Sequence, residues 1–411
     1  MATERLERVL NQNLQELAEK GTLKGKEMII TGVKPAENEK GPRFFIEGRG
    51  DKEFLRMNSN SYLGMPLREE IIKAEEEASE NFGVGPGAVR FISGTYKAHV
   101  DLENRLAKFH GKEAAMIMSS AYSTSLGVLF PLITKETIPV SDELNHNCII
   151  NAIRLSRPAD KKIYKHNDMD DLETKLKECI GKARRIIVVT DGVFSMRGDN
   201  APLFELTELC KKYYNEFEEG IISVVDDSHG VGALGKTGRG TEEYTGAKVD
   251  VLIGTLGKAF GVNGGYVATS STIVSYLRET APTYIYSNPI TVGEAAAAMK
   301  SIDILDSPRG RELLTHLHQM EKKFENGLKE LGFETIAGDH PVVPLMVRDT
   351  KKTAEIVNYL TENGVLATGL NYPVVPKGDE EIRFQICADH TSNDIDYVLA
   401  VLKKYKETHR V

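Results

Sequence analysis

The sequence predicts an α/β protein: a large, mostly parallel sheet flanked by helices, followed by a smaller α+β domain. Three observations carry that expectation. Between about 110 and 270, short β-rich runs alternate with helical patterns, as in repeated strand and helix units. Runs such as Ile186 to Thr190 and Ile221 to Val225 are apolar at successive positions, which strands buried on both faces require. After about residue 290 the pattern becomes long helical periodicity with a few short strands, marking a second unit.

In chain order, Leu6, Val9, Leu10, Leu14 and Leu17 recur at helical spacing, so residues 5–17 form an amphipathic helix. It heads an N-terminal helical and extended segment, 1–55. The catalytic domain, 56–290, contains strands expected at 114–118, 138–140, 186–190, 221–225, 249–255 and 266–269. The small C-terminal domain, 291–411, opens on a long helical stretch broken at Ser307-Pro308-Arg309-Gly310, because proline cannot continue a helix. Helices at about 351–363 and 392–406 complete it. No repeat of 20 to 50 residues is present, which excludes solenoids and propellers.

Composition narrows the function. With 411 residues, 41% hydrophobic and 27% charged, the chain is globular rather than disordered or fibrous. Its net charge of -8 offers no general attraction to nucleic acid or anionic membranes. The charged N-terminus lacks an apolar signal core and no run approaches a membrane span, so a cytoplasmic protein is expected. Cys148, Cys179, Cys210 and Cys387 form no metal-ligand spacing and read as packing thiols; no metal is expected.

Ligands of open α/β sheets bind beyond the carboxyl ends of the strands. There the sequence places Asp191 to Met196, Asp226-Asp227-Ser228-His229-Gly230 and Leu256-Gly257-Lys258-Ala259-Phe260-Gly261. A lysine between glycines at a strand end, if partly desolvated, has a lowered pKa suited to Schiff-base chemistry. Taken alone, Lys258 reads more plainly as a solvated surface residue. Asp226, after five apolar residues, needs a cationic or hydrogen-bonding partner, and a protonated pyridine nitrogen is one. His229 can reach a phenolic oxygen of the same ring. Alone, this turn reads as a cap with a packed histidine; beside Lys258 it points to pyridoxal phosphate, which needs a lysine and an acid. His146, after the strand at 138–140, is placed to stack on a flat cofactor or simply to pack. Ser119-Ser120-Ala121-Tyr122 opens a helix whose free N–H groups suit a phosphate, a role compatible with N-capping by serine. Thr255 offers a further hydroxyl.

These motifs resemble those of the α-oxoamine synthases, fold-type I pyridoxal-phosphate transferases that join an amino acid to an acyl-CoA with loss of carbon dioxide, or run a related cleavage. The likeness runs from Asn58-Ser59-Asn60-Ser61-Tyr62-Leu63-Gly64 to Arg383-Phe384-Gln385-Ile386-Cys387-Ala388-Asp389-His390. Thr255 to Gly261 is similar to the family's lysine motif, implying that Lys258 binds the cofactor and moves the α-proton. The resemblance further implies Asp226 as the pyridinium partner, His229 and Ser195 as ring-oxygen contacts and His146 as the stacking residue that helps polarise the thioester. Arg383 and Asn60 would hold the amino-acid carboxylate. Tyr286-Ser287-Asn288 is similar to a segment whose hydroxyl reaches a neighbour's phosphate, implying a homodimer with shared sites and Ser287 acting in trans.

Within the family, Val89 to Thr95, Asp191 to Met196, Asp226 to His229 and Pro373 to Gly378 look most like the glycine C-acetyltransferase branch. That likeness implies glycine plus acetyl-CoA giving 2-amino-3-oxobutyrate and CoA, or the reverse thiolytic cleavage in threonine degradation. Departures bear on the acyl group: Ala121 in place of Cys or Gly, Gly85-Pro86-Gly87, Met196-Arg197-Gly198, and Glu381 where arginine often stands. The alternatives are 8-amino-7-oxononanoate synthase with alanine, serine palmitoyltransferase with serine and 5-aminolevulinate synthase with succinyl-CoA. A catalytically silent partner subunit is expected to lack Lys258, and a dinucleotide-binding protein would show GxGxxG after an early strand.

Overall fold

The computed structural model describes residues 3–20, 22–23, 26–372 and 374–409; Pro373, the first residue of the segment noted above, lies outside them. Helix Glu4–Glu19 forms as its periodicity predicts, but every residue of it is exposed in the single chain. β1 (Ile30–Lys34) and β2 (Arg43–Ile46) make an antiparallel ribbon, followed by β3 (Leu55–Arg56). The Gly41 N–H donates to Asp394 at 2.8 Å and Arg43 pairs with the same carboxylate, so this segment is stapled to the C-terminal helix Ser392–His409.

The central sheet contains β4 (Ala114–Met118), β5 (Thr137–Asp142), β6 (Lys162–Tyr164), β7 (Arg185–Asp191), β8 (Ile221–Asp226), β9 (Val251–Thr255) and β10 (Gly265–Thr269). Their order is β4-β10-β9-β8-β7-β5-β6. Strands β5 to β9 pair in parallel, whereas β10 runs antiparallel to both neighbours. The nine residues between β9 and β10 hold no helix, and a parallel return needs a longer crossover. All six expected strands form. The seventh, β6, was too short to register as a pattern.

Burial on both faces explains the unbroken apolar runs. Ile187, Val189 and Val224 pack with Val128, Leu129 and Ile149 on one face. Ile186 and Val188 meet Leu172, Leu176, Leu206 and Cys210 on the other. The carboxyl ends of β7, β8 and β9 are therefore flush, with Asp191 opposite Asp226 and Asp226 opposite Ile253.

Beyond residue 290, helix Val292–Leu305 stops where Ser307 caps helix Pro308–Glu330 through its Gly310 N–H, as the proline signal predicts. A small antiparallel sheet contains β11 (Glu334–Thr335), β12 (Val342–Met346), β14 (Thr368–Leu370) and β15 (Glu381–Gln385). The intervening β13 (Val365–Leu366) instead pairs in parallel with β3. Phe324 meets Phe384 of β15 edge to face at 4.9 Å, both fully buried. One continuous core joins these rings to Met57, Tyr62, Leu256 and Phe260, which fixes β15 over the lysine loop. No helix among the described residues is long and apolar enough to cross a membrane.

Candidate active site

The cleft at the sheet's carboxyl edge is lined by Ala121, Tyr122, His146, Ser195, Asp226, His229 and Lys258, seven of the residues singled out from sequence. Asp226 forms its floor. Its carboxyl accepts from the Ser228 N–H at 3.1 Å and lies 3.1 Å from Ser125 Oγ. The adjacent Asp227 faces the other way, accepting from the Thr241 N–H and hydroxyl at 2.7 and 2.5 Å. Burial pushes Asp227 up to about 7, against those two hydrogen bonds. The pair of aspartates thus divides into one carboxyl at the cleft and one that ties the turn.

Lys258 sits in the tight loop between β9 and β10. The Leu256 N–H donates to the Gly264 carbonyl at 2.9 Å, and the Gly261 N–H to the Lys258 carbonyl at 3.0 Å. Gly261 has φ of 71°, and a Cβ there would fall 2.5 Å from the Pro66 ring, so only glycine fits this turn without strain. Thr255 donates its hydroxyl to the Gly264 carbonyl at 3.2 Å and accepts from the Gly257 N–H at 3.1 Å. It thereby braces the loop and does not line the cleft. Burial lowers the Lys258 ammonium to about 8, although Asp226 and Asp191 oppose that shift. Among the described residues the amine has no hydrogen-bond or ion-pair partner.

His229 is neutral, because burial and the nearby Lys258 and Arg383 charges push its pKa well down. The Tyr62 hydroxyl lies 2.7 Å from its Nδ1 and 3.4 Å from Asn60 Oδ1, which already accepts from Gln385 Nε2 at 2.6 Å. The Tyr62 hydroxyl thus links the His229 ring to Asn60. His340, held neutral near 3 by burial, supports this from behind by donating to the His229 carbonyl at 2.9 Å.

His146 begins helix Asn147–Ser156, its N–H donating to Asp191 at 2.8 Å and its Nδ1 accepting from the Cys148 N–H at 3.2 Å. Burial lowers its pKa, so the ring is uncharged. Ser120 caps helix Ala121–Leu132 by accepting from the Ser123 N–H. The Ala121 and Tyr122 N–H groups precede the first intrahelical bonds and are free to meet an anion. The Tyr122 hydroxyl is turned aside, donating to Asn147.

Arg383, on β15, contacts Asn60 Oδ1 through Nη2 at 3.3 Å, makes no ion pair among the described residues, and keeps a buried Nε without an acceptor. This fork is free for a planar carboxylate. Ser287 is half-buried beside Tyr286, which is 81% exposed, and it does not line the cleft of its own chain.

Several contributors were not singled out from sequence. Asp191 is held well above the usual carboxyl range by burial and by Asp226. Cys148, read as a packing thiol, has Sγ 3.0 Å from His146 Nδ1 and 3.7 Å from Asp226, and lines the cleft. Tyr62 and His340 complete the support. Position after a strand was available as a signal for Asp191; nothing local marks Tyr62 or His340.

The family model for aminotransferase class I and II matches residues 52–402. The 8-amino-7-oxononanoate synthase of Thermosipho melanesiensis is 40% identical over 378 residues, 92% of this chain and 93% of that one. A second such synthase, from Bacillus subtilis, is 37% identical over 375 residues, 90% and 92% of the two chains. The chain belongs to the class I and II aminotransferase family, as an α-oxoamine synthase. Its fold agrees: a solved structure of serine palmitoyltransferase with a pyridoxal-phosphate internal aldimine superposes with a TM-score of 0.87 at 27% identity, covering 97% of each chain. The Sphingomonas wittichii serine palmitoyltransferase gives 0.87 at 25%, over 99% and 98%.

This α-oxoamine synthase is therefore a pyridoxal-phosphate-dependent acyltransferase. The residues present fit that cofactor: an unpaired amine of lowered pKa, a carboxyl on the floor, a neutral histidine donor and a free helix N-terminus. The expected glycine C-acetyltransferase pairing needs correction, because the relatives above carry the name 8-amino-7-oxononanoate synthase.

Proposed function

We propose that the enzyme condenses an amino acid with an acyl thioester, forming a bond between the α-carbon and the acyl carbonyl while carbon dioxide and the thiol leave. Alanine and a seven-carbon dicarboxylic acyl group are the favoured pair. They follow from the relatives' product name: in 8-amino-7-oxononanoate, carbons 8 and 9 derive from decarboxylated alanine and carbons 1 to 7 from the acyl donor. Glycine with acetyl-CoA is the second reading, supported by the four short segments that resemble the glycine C-acetyltransferase branch.

The observation that carries the proposal is one cleft that holds both an unpartnered Lys258 of lowered pKa and the Asp226 carboxyl, with the Arg383 charge close enough to act on Lys258. When bound, pyridoxal phosphate supplies an electron sink for the α-carbon. Lys258 captures the cofactor and then moves the proton at that carbon, its amine being largely accessible as free base near pH 8. Asp226 would keep the pyridine nitrogen protonated, His229 and Ser195 would contact the ring oxygen, and His146 would lie against the ring. Ser120, Ala121 and Tyr122 hold the phosphate end, with Thr255 bracing the lysine loop. Arg383 and Asn60 orient the substrate carboxylate. We assign the enzyme to the cytoplasm as a homodimer in which Ser287 reaches the partner's phosphate.

The test is absorbance in the near-visible range after pyridoxal phosphate is supplied, then with alanine, glycine or serine added separately. A cofactor band perturbed selectively by alanine supports the favoured pair. Selective response to glycine moves the enzyme to the second reading, and absence of any band rejects the site.

A further inference from the structure

A second chamber opens beside the cleft. Ser195 lines both, and the chamber is walled by Phe194, Met196, Met346, Val375 and Pro376. Arg197 and Asp379 line it as well, and into it faces Glu381, which is only 2% exposed. Neither of its carboxyl oxygens has a hydrogen bond among the described residues, and Oε1 is fully buried. An unsatisfied buried polar group costs stability and is retained where a ligand completes it. Glu381 and Arg383 alternate on one face of β15, about 7 Å apart along the strand. An acyl chain bonded to the α-carbon of an amino acid held by Arg383 therefore has Glu381 within reach of its far end.

We propose that this chamber receives the acyl chain and that Glu381, acting with Arg197, is the residue that selects an acyl donor ending in a carboxylate. The inference rests on the acyltransferase reading above and deepens it. Arg197 keeps its Nη groups available, since only Nε is engaged, by Asp199 at 2.9 Å. Asp379 at the rim is neutralised by Arg348 at 3.2 Å. Burial pushes Glu381 up to about 8, despite Arg383 and Arg197, with Asp379 and Asp199 adding to the rise. At pH 7 it is thus a neutral carboxyl that donates its proton, while Arg197 supplies the positive charge. A hydrocarbon end satisfies neither group.

The decisive quantity is the ratio of kcat/KM for 6-carboxyhexanoyl-CoA to that for heptanoyl-CoA, measured on the holoenzyme with its preferred amino acid. Any ionisation common to both donors, including that of Lys258, cancels in the ratio. The wild type should favour the carboxylate donor at pH 7 and lose that preference as pH rises through about 8. Glu381→Leu should lower the ratio about 10- to 100-fold, the worth of a hydrogen bond to a charged group. Glu381→Gln, nearly isosteric and still a donor, should keep the preference and abolish its pH dependence. A wild-type preference for heptanoyl-CoA, an unchanged ratio in Glu381→Leu, or the same pH decline in Glu381→Gln overturns the assignment. Failure of every acyl donor with every amino acid instead rejects the acyltransferase reading itself.

Discussion

At the scale of single residues, the site depends on groups whose ordinary ionisation has been moved by burial. For Lys258 the free amine is the form that captures cofactor, and lowering its pKa to about 8 makes that form abundant near neutrality. Uptake of pyridoxal phosphate by the apoprotein should therefore accelerate with pH and level off above about 8, followed by the growth of the cofactor absorbance. A rate still climbing towards the ordinary lysine value of 10.5 would show that Lys258 is solvated. Lys258→Ala should lose the band and reduce turnover by at least about 10²-fold. Arg383 makes no ion pair among the described residues, so the proposed substrate carboxylate would have no acid to displace. Its replacement by alanine should raise the apparent KM for the amino acid by about 10- to 100-fold, which steady-state kinetics will show. An unaltered KM would remove its carboxylate role. Lys258, Asp226, His229 and His146 were legible in the sequence because each follows a buried strand. Tyr62 and His340 were not, since each comes from outside the sheet and acts only through its contact with another residue.

At the scale of elements, two turns must be held at a fixed separation for His146 and Ser195 to flank one ligand. His166, just after β6, bridges them: Nδ1 lies 3.1 Å from Asp142 and Nε2 lies 3.1 Å from Asp199. Asp142 also accepts from the Leu144 N–H at 2.8 Å in the turn leading to His146, and Asp199 follows Ser195 in its loop. Burial alone would lower the His166 pKa, but its bonds to the two carboxylates outweigh that and raise it to about 9. A raised histidine pKa contributes stability that is complete below the unfolded value of 6.5 and disappears as pH rises through 9. The shift corresponds to on the order of 3 kcal/mol. Denaturant unfolding should thus show the wild type losing its margin over His166→Gln between pH 7 and 9; a margin constant over that range would mean that the histidine is not charged. The short β6 and this bridge were invisible in the sequence, because three residues carry no periodicity and ion pairs across elements leave no local pattern.

At the scale of the whole molecule, the single chain exposes apolar side chains that a lone globule would cover. Leu6, Val9, Leu10, Leu14 and Leu17 lie along the first helix, while Val84, Phe91, Ile92 and Tyr286 are 67–81% exposed. These side chains are candidates for burial in the proposed homodimer. Sedimentation equilibrium should return twice the chain's 45.5 kDa, and a monomer at all concentrations would contradict Ser287 acting in trans. The same scale bears on the proposed acyl pairing. Four short motifs favoured glycine, whereas the likeness over nine-tenths of the chain is to 8-amino-7-oxononanoate synthases.

The sequence by itself determined the α/β class, the strand ends that carry the chemistry and the cofactor, since buried strands and the polar residues that follow them are local in the chain. Only the tertiary structure decided which aspartate faces the cleft, that Tyr62 bonds to His229, and that Glu381 stands unsatisfied in a neighbouring chamber. Those outcomes depend on contacts between residues far apart in sequence, and on the desolvation that packing alone imposes.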